Sequence, residues 1–181
     1  MKQVEVNKEA KLSEHFKLGE LTRSKSHPEI YNIPSHVHIE NLKRVCVWLE
    51  ALRERYNRRY VLAGAGGQVP KVEVFGENFI SRPDPEEPIV ITSGYRSAEL
   101  NRKVGGVATS NHLTGCAVDI RVAGKEQLIR YACILLDYAD ETKQEFDELL
   151  LEHGTNGVIW LHFAVRPPGQ QNRRKISFLK A

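Results

Sequence analysis

The sequence predicts an α+β fold, a small central antiparallel sheet with helices packed on one side. Two observations carry that expectation. The longest helical periodicity lies in the first half, where Ile39, Leu42, Val45, Val47, Leu49 and Leu52 recur near helical spacing with charges between them. The strand-like runs gather in the second half, with no regular βαβ alternation and no internal repeat.

In chain order, residues 1–14 are polar and read as a flexible segment ahead of a single domain over 15–181. His15-Phe16-Lys17-Leu18-Gly19-Glu20-Leu21-Thr22 is a short amphipathic stretch, followed by a turn-rich segment with His27-Pro28 and Ile33-Pro34-Ser35. Residues 36–55 read as one amphipathic helix. Residues 60–88 read as an insertion loop: a glycine run, the alternating Val72-Glu73-Val74-Phe75, then a proline-rich stretch. That glycine run lacks both the Lys-Ser/Thr of a P-loop and the GxGxxG order of a dinucleotide fold.

Ile89-Val90-Ile91-Thr92-Ser93 is β-branched and reads as a buried strand ending at Gly94. A helix capped by Ser97 follows over Ala98–Val104 and stops at Gly105-Gly106. Ala117–Val122 alternates like a strand, and Lys125–Leu136 has a helical apolar stripe. Phe146–Glu152 fits either a strand or a helix end. Val158–Val165 is a strand closed by Pro167-Pro168-Gly169, and Ser177-Phe178-Leu179 adds a last edge strand.

Composition narrows the function classes. With 181 residues and 41% apolar content the chain is the size of one domain with a buried core. The net charge of +3 is small, and Asn172-Arg173-Arg174-Lys175 is too short a basic run to suggest nucleic acid. Cys46, Cys116 and Cys133 are widely spaced with no CxxC, against a disulfide framework or a thiolate zinc site. No window approaches the ~18 apolar residues of a membrane span, and the first residues lack the apolar core of a signal peptide. The expectation is a monomer, cytoplasmic at synthesis, without an export address of its own.

Three polar residues stand out by their setting. His112 lies in a polar loop ending at Gly115, Asp119 inside a strand of small and apolar residues, and His162 mid-strand between Leu161 and Phe163. Burying such groups without a partner costs several kcal/mol. A shared metal satisfies all three; a hydrogen-bonded core histidine is the bland alternative. Two imidazoles and a carboxylate, with a fourth position left to water, suit catalytic Zn2+.

Around these residues the sequence resembles a known family. Ser93-Gly94-Tyr95-Arg96-Ser97, Leu100-Asn101, Val104-Gly105-Gly106 and Ser110-x-His112-x-x-Gly115-x-Ala117-x-Asp119-Ile120 look like the signature of zinc D-alanyl-D-alanine carboxypeptidases. That family shares its fold with vancomycin-resistance dipeptidases, phage endolysin peptidases and the hedgehog signalling domain. Trp160-Leu161-His162-Phe163 is similar to its closing histidine motif, and Phe16-x-Leu18-x-Glu20-Leu21 to the lead-in of the phage-type subgroup.

The resemblance implies a zinc peptidase acting on peptidoglycan stem peptides, of carboxypeptidase or endopeptidase type. His112, Asp119 and His162 match its zinc ligands, and Arg96 the arginine that holds the peptide and its developing oxyanion. Ser110 binds substrate or supports the loop; Tyr95 reads as packing. The family's proton-moving residue, an acid three before the last histidine or a histidine two before it, is replaced by Ile159 and Trp160. Glu152 and His153 are the nearest substitutes, and phage-type members resemble the chain in placing a carboxylate such as Glu152 at the end of an apolar run. The same Glu152 also reads as a solvated strand or helix end. A phage or prophage origin, with release to the cell wall through a lysis pore, is compatible with these features. A module that binds zinc and cell-wall peptide, or a protein partner, without turnover is the alternative.

Overall fold

The computed structural model describes residues 7–57 and 87–180. The insertion expected at 60–88 falls outside them except for its last two residues, as do residues 1–6. Among the described residues the α-helices are α1 (Leu18–Thr22), α2 (His36–Asn57), α3 (Ala98–Lys103) and α4 (Lys125–Thr142). The strands are β1 (Ile91–Ser93), β2 (Ala117–Arg121), β3 (Glu148–His153), β4 (Ile159–Ala164) and β5 (Lys175–Lys180). They form one open sheet in the order β1-β2-β4-β3-β5.

The fold is α+β, as expected, with one difference in the sheet. β1, β2, β4 and β3 pair antiparallel, but β5 returns parallel to β3 and makes the sheet mixed. The reason is the connection: residues 165–174 carry the chain back from the end of β4 to the start of β3, where Lys175 lies opposite Glu148. Of Phe146–Glu152, ambiguous in the sequence, Glu148 onward is the strand β3, because Leu149 and Leu151 alternate into the core.

Sequence alternation sorts the two faces of the sheet. Val118 and Ile120 of β2, Leu161 and Phe163 of β4, and Leu149 and Leu151 of β3 are buried on the face covered by α2 and α4. Trp48 of α2 ties the layers together, its ring 5.0 Å from both Tyr138 of α4 and Phe163 of β4. Truncating a fully buried ring such as Phe163 costs about 3–5 kcal/mol.

α4 runs six residues past the expected Leu136, to Thr142. The extension is polar except for Tyr138 and Ala139, and Ala139 is buried. Tertiary packing thus continues a helix that periodicity alone ends. Of the polar N-terminal stretch, residues 7–14 run back along α1: Leu18 N–H donates to Ala10 O at 2.8 Å and Gly19 N–H to Lys8 O at 2.8 Å.

A register shift in β1 matters for the other face. Ile91 pairs with Ile120 but Ser93 pairs with Asp119, so a bulge lies between them. Ile91 therefore joins the core while Ser93, two residues on, sits beside Asp119.

Candidate metal centre

The face of the sheet away from α2 and α4 carries the polar row Ser93, Asp119 and His162. Asp119 is the cross-strand partner of His162, and Ser93 the partner of Asp119. His112 approaches from outside the sheet, on a short 3-10 turn over Asn111–Thr114. Ser110 caps that turn, its Oγ accepting from His112 N–H at 3.3 Å. Gly115 ends it at φ +71, and a Cβ there would lie 2.6 Å from His38 O, so only glycine fits.

The turn after β1 holds the imidazole. Arg96 N–H donates to His112 O at 3.1 Å, and the His112 ring meets Gly94 O through Nδ1 at 2.6 Å. A carbonyl oxygen only accepts, so Nδ1 carries the proton and Nε2 presents a lone pair. That lone pair faces Asp119 Oδ1 at 3.2 Å and His162 Nδ1 at 3.3 Å, while His162 Nδ1 lies 2.9 Å from Asp119 Oδ1. All three residues are buried, and their ligand atoms lie within 4.8 Å of one another.

Such a set of acceptors needs a cation. In the protein alone a proton on His162 serves: burial opposes charging this ring, but Asp119 and Glu148 outweigh burial and raise its pKa to about 9. For His112 burial dominates and lowers its pKa, Asp119 offsetting only part. For Asp119 burial works against ionisation, yet His112 and His162 overcome it and hold the carboxylate well below its usual range. Two nitrogens and one carboxylate oxygen form a donor set that fits zinc.

Residues 81–143 match the family model of peptidase M15. That segment, about a third of the chain, is similar to the peptidase M15 family. No curated protein matches the chain. The matched segment contains Arg96, Ser110, His112 and Asp119 and ends before β3 and β4. His162 and Glu152 lie outside that segment, and the sheet places them beside it.

Arg96 spans two strands of that sheet. Its Nη2 donates to Asp119 Oδ2 at 2.5 Å and its Nε to Ser93 Oγ at 2.8 Å. Nη1 makes no protein hydrogen bond among the described residues and stays available. Of the two base candidates, Glu152 lies opposite Trp160 on the polar face, whereas His153 is exposed and alternates to the other side. Burial raises the Glu152 carboxyl above its ordinary 4.5, with the charge of His162 as the opposing influence.

Sequence reasoning missed Glu148 and Asn111. Glu148 Oε2 lies 3.7 Å from His162 Nε2, the nitrogen turned away from Asp119. It accepts from Asn111 Nδ2 at 3.0 Å and pairs with Arg173 at 2.9 Å. A carboxylate on the far nitrogen of a ligating histidine fixes its tautomer and orientation. The available signal was spacing: Glu148 and Glu152 are four apart in a strand and so share the face of His162.

Proposed function

We propose that this chain is a zinc metallopeptidase that hydrolyses a peptide bond in peptidoglycan stem peptides. The observation that carries the reading is the convergence of His112 Nε2, Asp119 Oδ1 and His162 Nδ1, with Arg96 on one side and Glu152 on the same sheet face. The match of residues 81–143 to the family model of peptidase M15 supports it.

Zinc held there supplies Lewis acidity to polarise a carbonyl and acidifies water toward a pKa of ~7. The residues supply the rest. Arg96 is anchored by Asp119 and Ser93, so its Nη1 is pre-aimed to receive a carboxylate or the oxygen that becomes negative during attack. Glu152, half-buried and with its carboxyl raised above 4.5 by that burial, takes a proton from the attacking water in its ionised form and returns it to the leaving amine. Glu148 keeps His162 oriented through Nε2. Ser110 holds the turn that presents His112.

The test is digestion of purified muropeptides by zinc-loaded protein, followed by mass analysis with and without chelator. Loss of D-alanine or cleavage of a cross-link, abolished by chelator, is expected. The replacement of an acid by Ile159 favours a second reading, a zinc-containing module that binds cell-wall peptide without turnover. Zinc retention with muropeptide binding, no cleavage, and no effect of Glu152→Ala would establish that module instead.

A further inference from the structure

Glu152 has a neighbour whose chemistry is directional. Trp160 of β4 is its cross-strand partner, so the two side chains stand side by side on the sheet face that carries His162. The turn after β3 fixes how the indole lies. A Cβ on Gly154 would be 3.6 Å from Cζ3 and 3.9 Å from Cη2 of Trp160, ordinary van der Waals contact. The benzo edge of the ring therefore rests over Gly154, and the pyrrole half with Nε1 lies on the side away from that glycine. Trp160 is half-buried there, on β4 between Arg121 and Glu152.

An indole nitrogen only donates, and the acceptor beside it is the Glu152 carboxylate. Burial is the largest influence on that carboxyl and raises its pKa. The side-chain hydrogen bond from Trp160 works the other way, with the charges of His162 and Arg96, while Asp119 adds to the rise. The other carboxylates of this face are held by cations: Asp119 by Arg96, Glu148 by Arg173 and Lys175. Glu148, bonded to His162 and faced by those cations, is depressed to about 2. A carboxylate held in that way accepts a proton poorly near neutral pH. Glu152 has no ion-pair partner among the described residues, and a neutral N–H orients it with far less loss of basicity.

We propose that Trp160 is the positioning residue for Glu152, its indole N–H holding one carboxylate oxygen so that the other is left to exchange the proton. This deepens the peptidase reading and rests on it for the role of Glu152. It also gives position 160 a part in the chemistry although an indole moves no proton. Because Trp160 acts on the base and not on the peptide, its loss belongs in kcat and not in KM.

The experiment pairs proton–nitrogen NMR of zinc-loaded, 15N-labelled protein with muropeptide cleavage. The chain has two indole N–H groups, from Trp48 and Trp160, and Trp160→Phe assigns them. The Trp160 signal should move with pH as Glu152 titrates and stay still over the same range in Glu152→Gln. The Trp48 signal, in the core, should do neither. Trp160→Phe keeps a ring without the donor. It should retain zinc, lower kcat about tenfold or more with little change in KM, and move the acid limb of kcat/KM to higher pH, because the lost hydrogen bond favours the ionised carboxylate. A Trp160 signal that ignores pH, or that titrates unchanged in Glu152→Gln, overturns the inference. So does a Trp160→Phe enzyme with wild-type kcat and acid limb. A signal that follows Glu152 in a protein that cleaves no muropeptide keeps the pairing and counts against the peptidase reading. Cleavage by a wild type whose Trp160 signal ignores pH does the reverse.

Discussion

Asp119 and His162 face each other across neighbouring antiparallel strands, with Asp119 Oδ1 2.9 Å from His162 Nδ1. That pairing sets two of the three donor atoms before any loop is placed. His112 then needs only a short turn, fixed by Gly94 O and Arg96 N–H, to complete the cluster. The sheet supplies rigidity and the turn supplies the third donor.

The first prediction concerns the metal. Wild type should carry about one zinc per chain by elemental analysis. His112→Ala, Asp119→Ala and His162→Ala should each lose it. Chelator should lower the melting temperature of wild type and leave those variants unmoved, because an ion that binds only the folded state stabilises it.

Glu152 is the place to test proton transfer. Glu152→Gln should retain zinc and lower kcat by about 10²–10⁴. Because burial raises this carboxyl, the acid limb of the kcat/KM profile should fall above pH 4.5, activity rising as pH passes through the carboxyl's pKa. A fully active Glu152→Gln enzyme would remove Glu152 from the mechanism.

Arg96 is bonded to Asp119 and Ser93, and under the proposed function it would couple substrate binding to the metal ligands. Arg96→Gln should cut kcat/KM by roughly 10²-fold or more, the size expected for one lost oxyanion donor. It also frees Asp119 Oδ2, so zinc affinity should change in the same variant. Arg96→Lys restores the charge without the fork and should recover only part of the activity.

Acid stability should depend on Asp147. This fully buried carboxylate accepts two hydrogen bonds from the Arg173 side chain, at 2.8 and 2.7 Å, and one from Asn111. Burial opposes its ionisation, but Arg173, Asn111 and Arg166 outweigh burial and depress its pKa. A depressed carboxyl contributes stability above the unfolded value of ~3.9 and loses it as pH falls toward the folded value. Asp147→Ala should therefore cost about 3 kcal/mol at neutral pH, and the gap between variant and wild type should narrow below pH ~4 in denaturant titrations.

Gly94 tests the joint between α1 and the site. A Cβ there meets Leu21 O at 2.3 Å, backbone against backbone, with no flexible end to yield. Gly94→Ala should lower stability by about 2 kcal/mol or more and weaken zinc binding, since Gly94 O fixes His112.

The sequence by itself determined the local chemistry. Alternation in Ala117–Val122 and Val158–Val165 placed Asp119 and His162 opposite the apolar positions of their strands, and Gly115 marked the turn that carries His112. These are near-neighbour effects, and periodicity reports them. Only the tertiary structure decided how distant elements meet. The bulge in β1 that brings Ser93 beside Asp119 follows from pairing, not from residues 91–93. The choice of Glu152 over His153 follows from the register of β3 on β4, which the buried Leu149, Leu151, Leu161 and Phe163 enforce, because a slip of one residue turns every side chain to the opposite face. Glu148 behind His162 comes from the same cause: its partners Asn111, His162 and Arg173 lie on three other segments of the chain, and packing alone brings them together.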